Sequence, residues 1–195
     1  MRSISFRCTS IRIAALVIVA CAFAKARANA QAASTTTYTI GVNGGLAVPL
    51  GDLSNATNSG YVLGITLGMK QPLTPLSFRA EGNFTELPLQ TGNSSDKYRI
   101  YGFAADALYN LGQPSENGGL YLTGGLGYYG TRAVFVSPFG GTTQTNTDWN
   151  AGINVGLGYY LPLSGFTVNF EGRYTHIFSS PNSEGMLPIT VGIVF

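Results

Sequence analysis

The last stretch of the chain, residues 187–195, alternates large apolar residues with small or mildly polar ones. On an extended backbone the apolar members share one face: Leu187, Ile189, Val191, Ile193 and Phe195. A period of two predicts a strand, and its length is close to the roughly 9–11 residues of a tilted strand that crosses a membrane. An edge strand of a soluble sandwich shows the same alternation, so this stretch predicts the element and leaves its surroundings open.

The same alternation recurs upstream in segments separated by turn-like and loop-like sequence. It predicts strands at 38–48, 61–70, 76–87, 98–111, 119–136, 149–161 and 166–178, ahead of 187–195. The connections after the first, third and fifth strands are long, and those after the second and sixth are short, as in bacterial barrels with short periplasmic turns and longer external loops. The predicted fold is therefore all-β, an eight-stranded antiparallel up-and-down transmembrane barrel with both ends of the barrel sequence on the periplasmic side.

Composition favours a membrane barrel over a soluble one. Charged residues make up 10% of the chain, against roughly 25% in an ordinary soluble domain. No apolar run is long enough for a helical span of about 18 residues or more. Aromatic residues cluster at the ends of the apolar faces, which is typical of interfacial girdles, and the opposite faces carry mostly Gly, Thr, Asn and Ser. This pattern predicts a lipid-facing exterior and a narrow, crowded interior in the outer membrane.

The first thirty residues have the pattern of an export signal. Arg2, Arg7 and Arg12 precede an apolar core at residues 13–24, and small residues lead to a predicted cleavage after Ala30. The predicted division is a signal peptide at 1–30, a short periplasmic lead-in at 31–37 and a barrel at 38–195. Lipidation at Cys21 is the alternative to cleavage after Ala30.

Removal of this signal changes the charge of the chain. Five of the eleven Lys and Arg residues lie in the first thirty, so the mature chain carries six basic and nine acidic residues, a net charge of −3. A nucleic-acid partner is therefore not predicted. Both cysteines, Cys8 and Cys21, also precede the cleavage point. No disulfide, metal site or cofactor is predicted for the mature chain.

Charged residues on the inner faces are few. Arg79 and Glu81 are two positions apart and point the same way, and so do Glu171 and Arg173. The interior of an eight-stranded barrel is just wide enough to be filled by side chains, so these pairs, together with Asp106, are expected to meet inside it as a plug of salt bridges. A proton or ion path is the functional alternative for the same residues.

One further group of residues suggests a catalytic site. His176 lies near Ser179, Ser180 and Glu184, close to the end of the seventh predicted strand. The arrangement resembles that of outer-membrane lipid A deacylases, which place a His–Ser pair near the membrane surface of an eight-stranded barrel. A lipid A-modifying hydrolase that uses His176 is one alternative function, and a small-solute channel is another.

Four motifs carry a broader resemblance: Pro49 with Gly51 and Asp52, residues 126–129, residues 156–162 and residues 171–174. With them the chain, over 38–195, resembles the small outer membrane protein β-barrel domain family, which is similar to the OmpA transmembrane domain and OmpX-type barrels. The resemblance implies outer-membrane lipid as the surroundings and a structural, envelope or surface-interaction role. It also implies that the barrel assembly machinery recognises the closing strand, with Phe195 as the assembly signal. The short Ser-, Thr-, Asn- and Gly-rich loops identify no particular partner.

Overall fold

The computed structural model describes residues 36–71, 74–90, 95–111, 118–137, 141–180 and 183–195. The signal-peptide, cleavage and Cys21 predictions lie outside these residues. The elements run β1 Thr37–Leu50, α1 Asp52–Ala56, β2 Gly60–Lys70, β3 Leu76–Pro88, β4 Lys97–Leu111, β5 Gly119–Val136, β6 Thr142–Gln144, β7 Asp148–Leu163, β8 Phe166–Ile177 and β9 Glu184–Val194. The alternating segments are thus strands, with β1 beginning one residue before its predicted start.

The strands form a single closed antiparallel sheet. Within the described residues the order is β4-β3-β2-β1-β9-β8-β7-β5, and pairing of β4 with β5 closes the ring of eight strands. The short β6 pairs only with the end of β5. The predicted eight-stranded antiparallel barrel is confirmed, and its closure removes the exposed strand edges that would pair with other chains.

Two local elements differ from the sequence expectation. The segment after β1, whose composition indicated a loop, contains α1, and the loop after β5 contains β6. Leu53 on α1 is buried, and its carbonyl accepts hydrogen bonds from both the backbone N–H and the hydroxyl of Thr57. Local composition did not reveal them, because α1 depends on the burial of Leu53 in the apolar interior and β6 on a short pairing with the end of β5. No helix among the described residues is both long and apolar enough to cross a membrane.

The barrel has an apolar outer face and a largely polar inner face. Outer-face side chains such as Tyr38, Ile65 and Leu126 are more than 60% exposed. Inner-face residues such as Thr123 and Thr190 are buried. A continuous apolar surface of this kind is unfavourable in water and suits the hydrocarbon region of a membrane.

The two ends of the barrel differ. Strands β1, β3, β5 and β8 end at one end of the barrel, which we call the loop end. Strands β2, β4 and β7 end at the other, the turn end, where β1 begins and β9 finishes. The β7–β8 connection at the turn end is a two-residue turn in which Gly165 has a φ of 92°, a conformation that favours glycine.

Candidate functional site

The interior consists of three layers between the loop end and the turn end. An apolar layer lies nearest the loop end, a charged layer lies in the middle, and a polar vestibule lies nearest the turn end. The alternation of each strand points these side chains inward, and the barrel register decides which of them meet.

The charged layer brings together all five inner-face charges singled out in the sequence. Arg79 on β3 holds Glu171 on β8 through two hydrogen bonds, of 2.8 Å from Nη1 to Oε2 and 3.0 Å from Nη2 to Oε1. Arg173 on β8 reaches back to Glu81 on β3, with 2.6 Å between Nη2 and Oε1. Asp106 on β4 accepts from both arginines through Oδ2, at 3.0 Å from Arg79 Nη2 and 3.0 Å from Arg173 Nη1.

The short arginine–glutamate contacts of this layer cross the barrel from β3 to β8 and do not follow the strands. Within one strand, Arg79 Nε lies 3.7 Å from Glu81 Oε2, and Arg173 Nε lies 3.6 Å from Glu171 Oε1. The cross-barrel distances are shorter by about an ångström, so each arginine binds mainly the glutamate of the opposite strand. All five side chains are at most 8% exposed. A buried ion must be paired to avoid a penalty of several kcal/mol, and the terminal nitrogens of both arginines are paired with carboxylates. Among the described residues, Arg173 Nε and Glu81 Oε2 are buried without a hydrogen-bond partner.

Neutral side chains complete the layer. The hydroxyl of Tyr121 donates to Glu171 Oε2 at 2.8 Å, and Asn154 Nδ2 donates to Asp106 Oδ1 at 2.9 Å. Asn83 Nδ2 lies 3.3 Å from Glu81 Oε1. Sequence reasoning did not single out these three residues. Their inner-face positions were visible in the alternation, but nothing in the sequence showed which charge each would contact.

The apolar layer closes the loop end of the interior. Its buried members come from strands around the barrel and from α1: Ala47, Leu53, Val62, Leu87, Ile100, Tyr129, Ile177 and Met186. Tyr98 packs against this cluster and donates its hydroxyl to Glu184 at 2.7 Å. Between the charged layer and the loops, the interior therefore contains a cluster of packed apolar side chains.

The vestibule lies on the other side of the charged layer. It is a cavity of about 350 Å³. Its walls carry hydroxyl and amide groups from Thr39, Ser77, Asn110 and Asn169, with Lys70 also on its lining. Arg79 and Tyr121 of the charged layer form part of the same lining, so the charged layer closes the inner end of the vestibule.

His176 has an aromatic environment. Its Nδ1 lies 3.3 Å from the hydroxyl of Tyr174, and its ring meets Phe178 edge-on at a centroid distance of 5.0 Å. These residues alternate with buried Thr175 and Ile177, which places them on the outer face. Ser179 Oγ lies 3.5 Å from Glu184 Oε1, and that carboxylate turns inward to Tyr98. The geometry therefore associates His176 with interfacial aromatic rings and Ser179 with an inward carboxylate.

Phe195 lies on the outer face at the turn end. Its backbone N–H donates to the carbonyl of Ile40 at 2.8 Å, and its carbonyl accepts from Ile40 N–H at 3.0 Å. Its ring is 64% exposed and lies 6.3 Å from the ring of Phe166. Phe195 thus pairs with β1 through its backbone and adds an aromatic ring to the rim of the barrel at the turn end.

Comparisons with known proteins point to one class. The family model described as "Outer membrane protein beta-barrel domain" matches residues 13–194. No curated protein sequence matches this chain. A major outer membrane protein from Thermus thermophilus superposes with a TM-score of 0.60 at 12% identity, covering 83% of this chain and 98% of that chain.

Two further solved structures are similar. Neisserial surface protein A matches with a TM-score of 0.52 at 15% identity, over 82% of this chain and 97% of its own. The N-terminal β-barrel domain of Pseudomonas aeruginosa OprF matches with a TM-score of 0.49 at 16% identity, over 83% of this chain and 100% of its own. At these identities the likenesses to the Thermus protein and to Neisserial surface protein A establish a shared fold.

Proposed function

This chain belongs to the outer membrane protein β-barrel domain family, and from that premise we propose that it is a filled, non-enzymatic scaffold of the bacterial envelope. It is an outer-membrane β-barrel protein whose outer face contacts lipid. Its proposed role is to stabilise the membrane around it and to present short loops at the surface. The proposed signal peptide at 1–30 would deliver it to the envelope.

The two layers that block the interior, the charged layer and the apolar layer, carry the proposal. A solute that entered from the vestibule would first have to separate Arg79 from Glu171 or Arg173 from Glu81, which would leave a buried charge uncompensated. It would then meet the apolar layer, whose packed hydrocarbon groups disfavour an ion or a polar solute. Two successive barriers of different chemistry support a closed scaffold over a small-solute channel.

The outer face and the loop end remain available for function. Bacterial barrels keep short turns in the periplasm and longer loops outside, which supports placing the loop end at the cell surface. Among the described loop residues, 141–147 are mostly exposed and include the short strand β6. His176 lies among outward-facing aromatic rings, which supports an interfacial and non-catalytic role.

Planar lipid bilayers test the closed interior. We expect the purified, heat-modifiable protein to give no steady single-channel current, because the charged and apolar layers block the barrel in series. A general porin reconstituted in the same bilayers serves as the positive control. Discrete, reproducible conductance steps from the folded protein would overturn the proposal and favour the channel alternative.

A further inference from the structure

Three basic residues gather on the outer face near the loop end. Lys97 and Arg99 lie on β4, and Arg132 lies on β5. By alternation they share the outer face with Tyr101 and Phe103, while Ile100 between them is buried in the interior. We call Lys97, Arg99 and Arg132 the basic cluster.

The basic cluster borders an aromatic belt. Neighbouring outer-face rings lie close together: Phe84 and Tyr101 at 5.3 Å between centroids, and Tyr128 and Trp149 at 5.3 Å. Such belts mark the boundary between hydrocarbon and headgroups. Arg99 is the next outer-face residue after Tyr101 toward the loop end, about 7 Å further along the strand. The cluster therefore lies at the depth of lipid headgroups.

Two of the cations stand directly opposite each other. Arg99 and Arg132 are cross-strand partners in the β4–β5 ladder. Like charges in this position are destabilising. On its other side Arg99 faces Glu86 on β3, and this single carboxylate accepts from both Arg99 Nε at 2.8 Å and Lys97 Nζ at 2.5 Å.

Among the described residues, the side chain of Arg132 contacts a neutral partner, Tyr101. It donates to the hydroxyl of Tyr101 at 2.5 Å, and its guanidinium carbon lies 5.1 Å from the centre of the Tyr101 ring. Its Nε is buried and has no hydrogen-bond partner within the described part of the chain. Asp96, the neighbouring acid, accepts from the backbone N–H of Val136 further toward the loops. Among the described residues, Glu86 therefore pairs with both Lys97 and Arg99, whereas Arg132, the cross-strand partner of Arg99, contacts the hydroxyl and ring of Tyr101.

We propose that Arg99 and Arg132 bind a phosphate group of a phosphorylated glycolipid in the outer leaflet, with its acyl chains against the aromatic belt. The inference rests on the proposed position of the loop end at the cell surface. Guanidinium groups match phosphate oxygens in geometry and charge, and a shared anion would convert a repulsive cross-strand pair into a bridged one. Attraction of basic residues to anionic headgroups is a general property of membrane surfaces. The apolar face directly below the cluster favours a lipid over a soluble anion, because it provides a surface for acyl chains.

Thermal unfolding in detergent micelles tests the site. The probes are diphosphorylated lipid A, the same lipid without its phosphates, and inorganic phosphate, followed by Trp149 fluorescence and by heat-modified migration on gels. We expect diphosphorylated lipid A to raise the unfolding temperature of the wild type most, and inorganic phosphate to leave it unchanged. The shift should shrink as salt rises, because the contact is ionic and partly exposed.

Substitutions of Arg99 and Arg132 test whether lipid A binds at the basic cluster. Arg99→Gln with Arg132→Gln should weaken lipid A binding about tenfold, since charge-assisted hydrogen bonds are lost. Arg132→Gln alone, which leaves the Arg99–Glu86 contact intact, provides a milder variant that should also bind more weakly. Lys70→Gln, which removes a cation at the turn end, is the matched control and should bind as the wild type does.

Equal binding by the single, double and control variants would overturn the proposal. So would an equal shift from phosphate-free lipid, which would indicate acyl-chain binding alone, or from inorganic phosphate, which would indicate a general anion site. Any of these results would leave the bilayer measurement unaffected, because conductance reports on the interior and lipid binding reports on the outer face.

Discussion

Several glycines of the inner face lie beneath large side chains from neighbouring strands. A Cβ on Gly158 would collide with the ring of Tyr121, and a Cβ on Gly102 would collide with the amide of Asn83 and the ring of Tyr129. Because the interior is narrow, one strand carries a glycine where the neighbouring strand places an aromatic ring. Because Tyr121 donates to Glu171, the absence of a side chain at Gly158 helps to position the charged layer.

Gly158→Ala should therefore destabilise the barrel. The added methyl group would displace the Tyr121 ring and weaken its hydrogen bond to Glu171. Overpacking of this kind costs about 1–3 kcal/mol in the free energy of unfolding. Urea unfolding of the protein in lipid vesicles, followed by tryptophan fluorescence, measures the change.

Gly172→Ala is the control. Gly172 lies on the outer face of β8, and no atom lies within 4 Å of the position its Cβ would take. Its unfolding free energy should change by no more than about 0.5 kcal/mol. Equal losses in the two variants would show that a general intolerance of strand glycines, and not the Tyr121 contact, explains the result.

At the scale of elements, β9 decides whether the barrel closes. It pairs with β8 along one side and with β1 along the other, so the last strand of the chain joins the first. Phe195 extends this junction through its two backbone hydrogen bonds to Ile40. We propose that the barrel assembly machinery recognises this closing strand with Phe195 as its assembly signal.

Deletion of Phe195 should reduce the amount of folded barrel in the outer membrane. The deletion removes the pairing with Ile40 and the aromatic group beside Phe166 at the turn-end rim. The measurement is the heat-modifiable band in outer-membrane fractions. Phe178→Ala, which removes an exposed ring at the loop end, is the control and should assemble normally. Wild-type levels of the deletion protein would contradict the assembly role.

The whole molecule is asymmetric along the barrel axis. The vestibule lies toward the turn end, whereas the apolar layer, α1 and the basic cluster lie toward the loop end. Presentation of the loops at the surface and binding of an outer-leaflet lipid both require the loop end to lie outside the cell. Exposure of the loops and of the basic cluster to the outside therefore depends on the orientation of the barrel in the membrane.

Single cysteines test this orientation, because residues 31–195 contain none. A membrane-impermeant maleimide should label Thr143→Cys on intact cells, since Thr143 is exposed at the loop end. Ser164→Cys, in the exposed β7–β8 turn, should react only after the outer membrane is permeabilised. The unsubstituted chain controls for background. Labelling of Ser164→Cys alone on intact cells would indicate the opposite orientation.

The sequence by itself determined the strands, their inner and outer faces and the barrel class, because alternation is a local property with a period of two. It also placed Arg79, Glu81, Asp106, Glu171 and Arg173 on inner faces. Only the tertiary structure decided that Arg79 binds Glu171 and Arg173 binds Glu81, contacts that each span 92 positions.

The tertiary structure also decided that Leu53 packs into the apolar layer and that Arg99 is the cross-strand partner of Arg132. Alternation states whether a side chain points in or out, but not its height along the barrel axis. Height depends on strand register and shear, which are set jointly by all the pairings that close the ring.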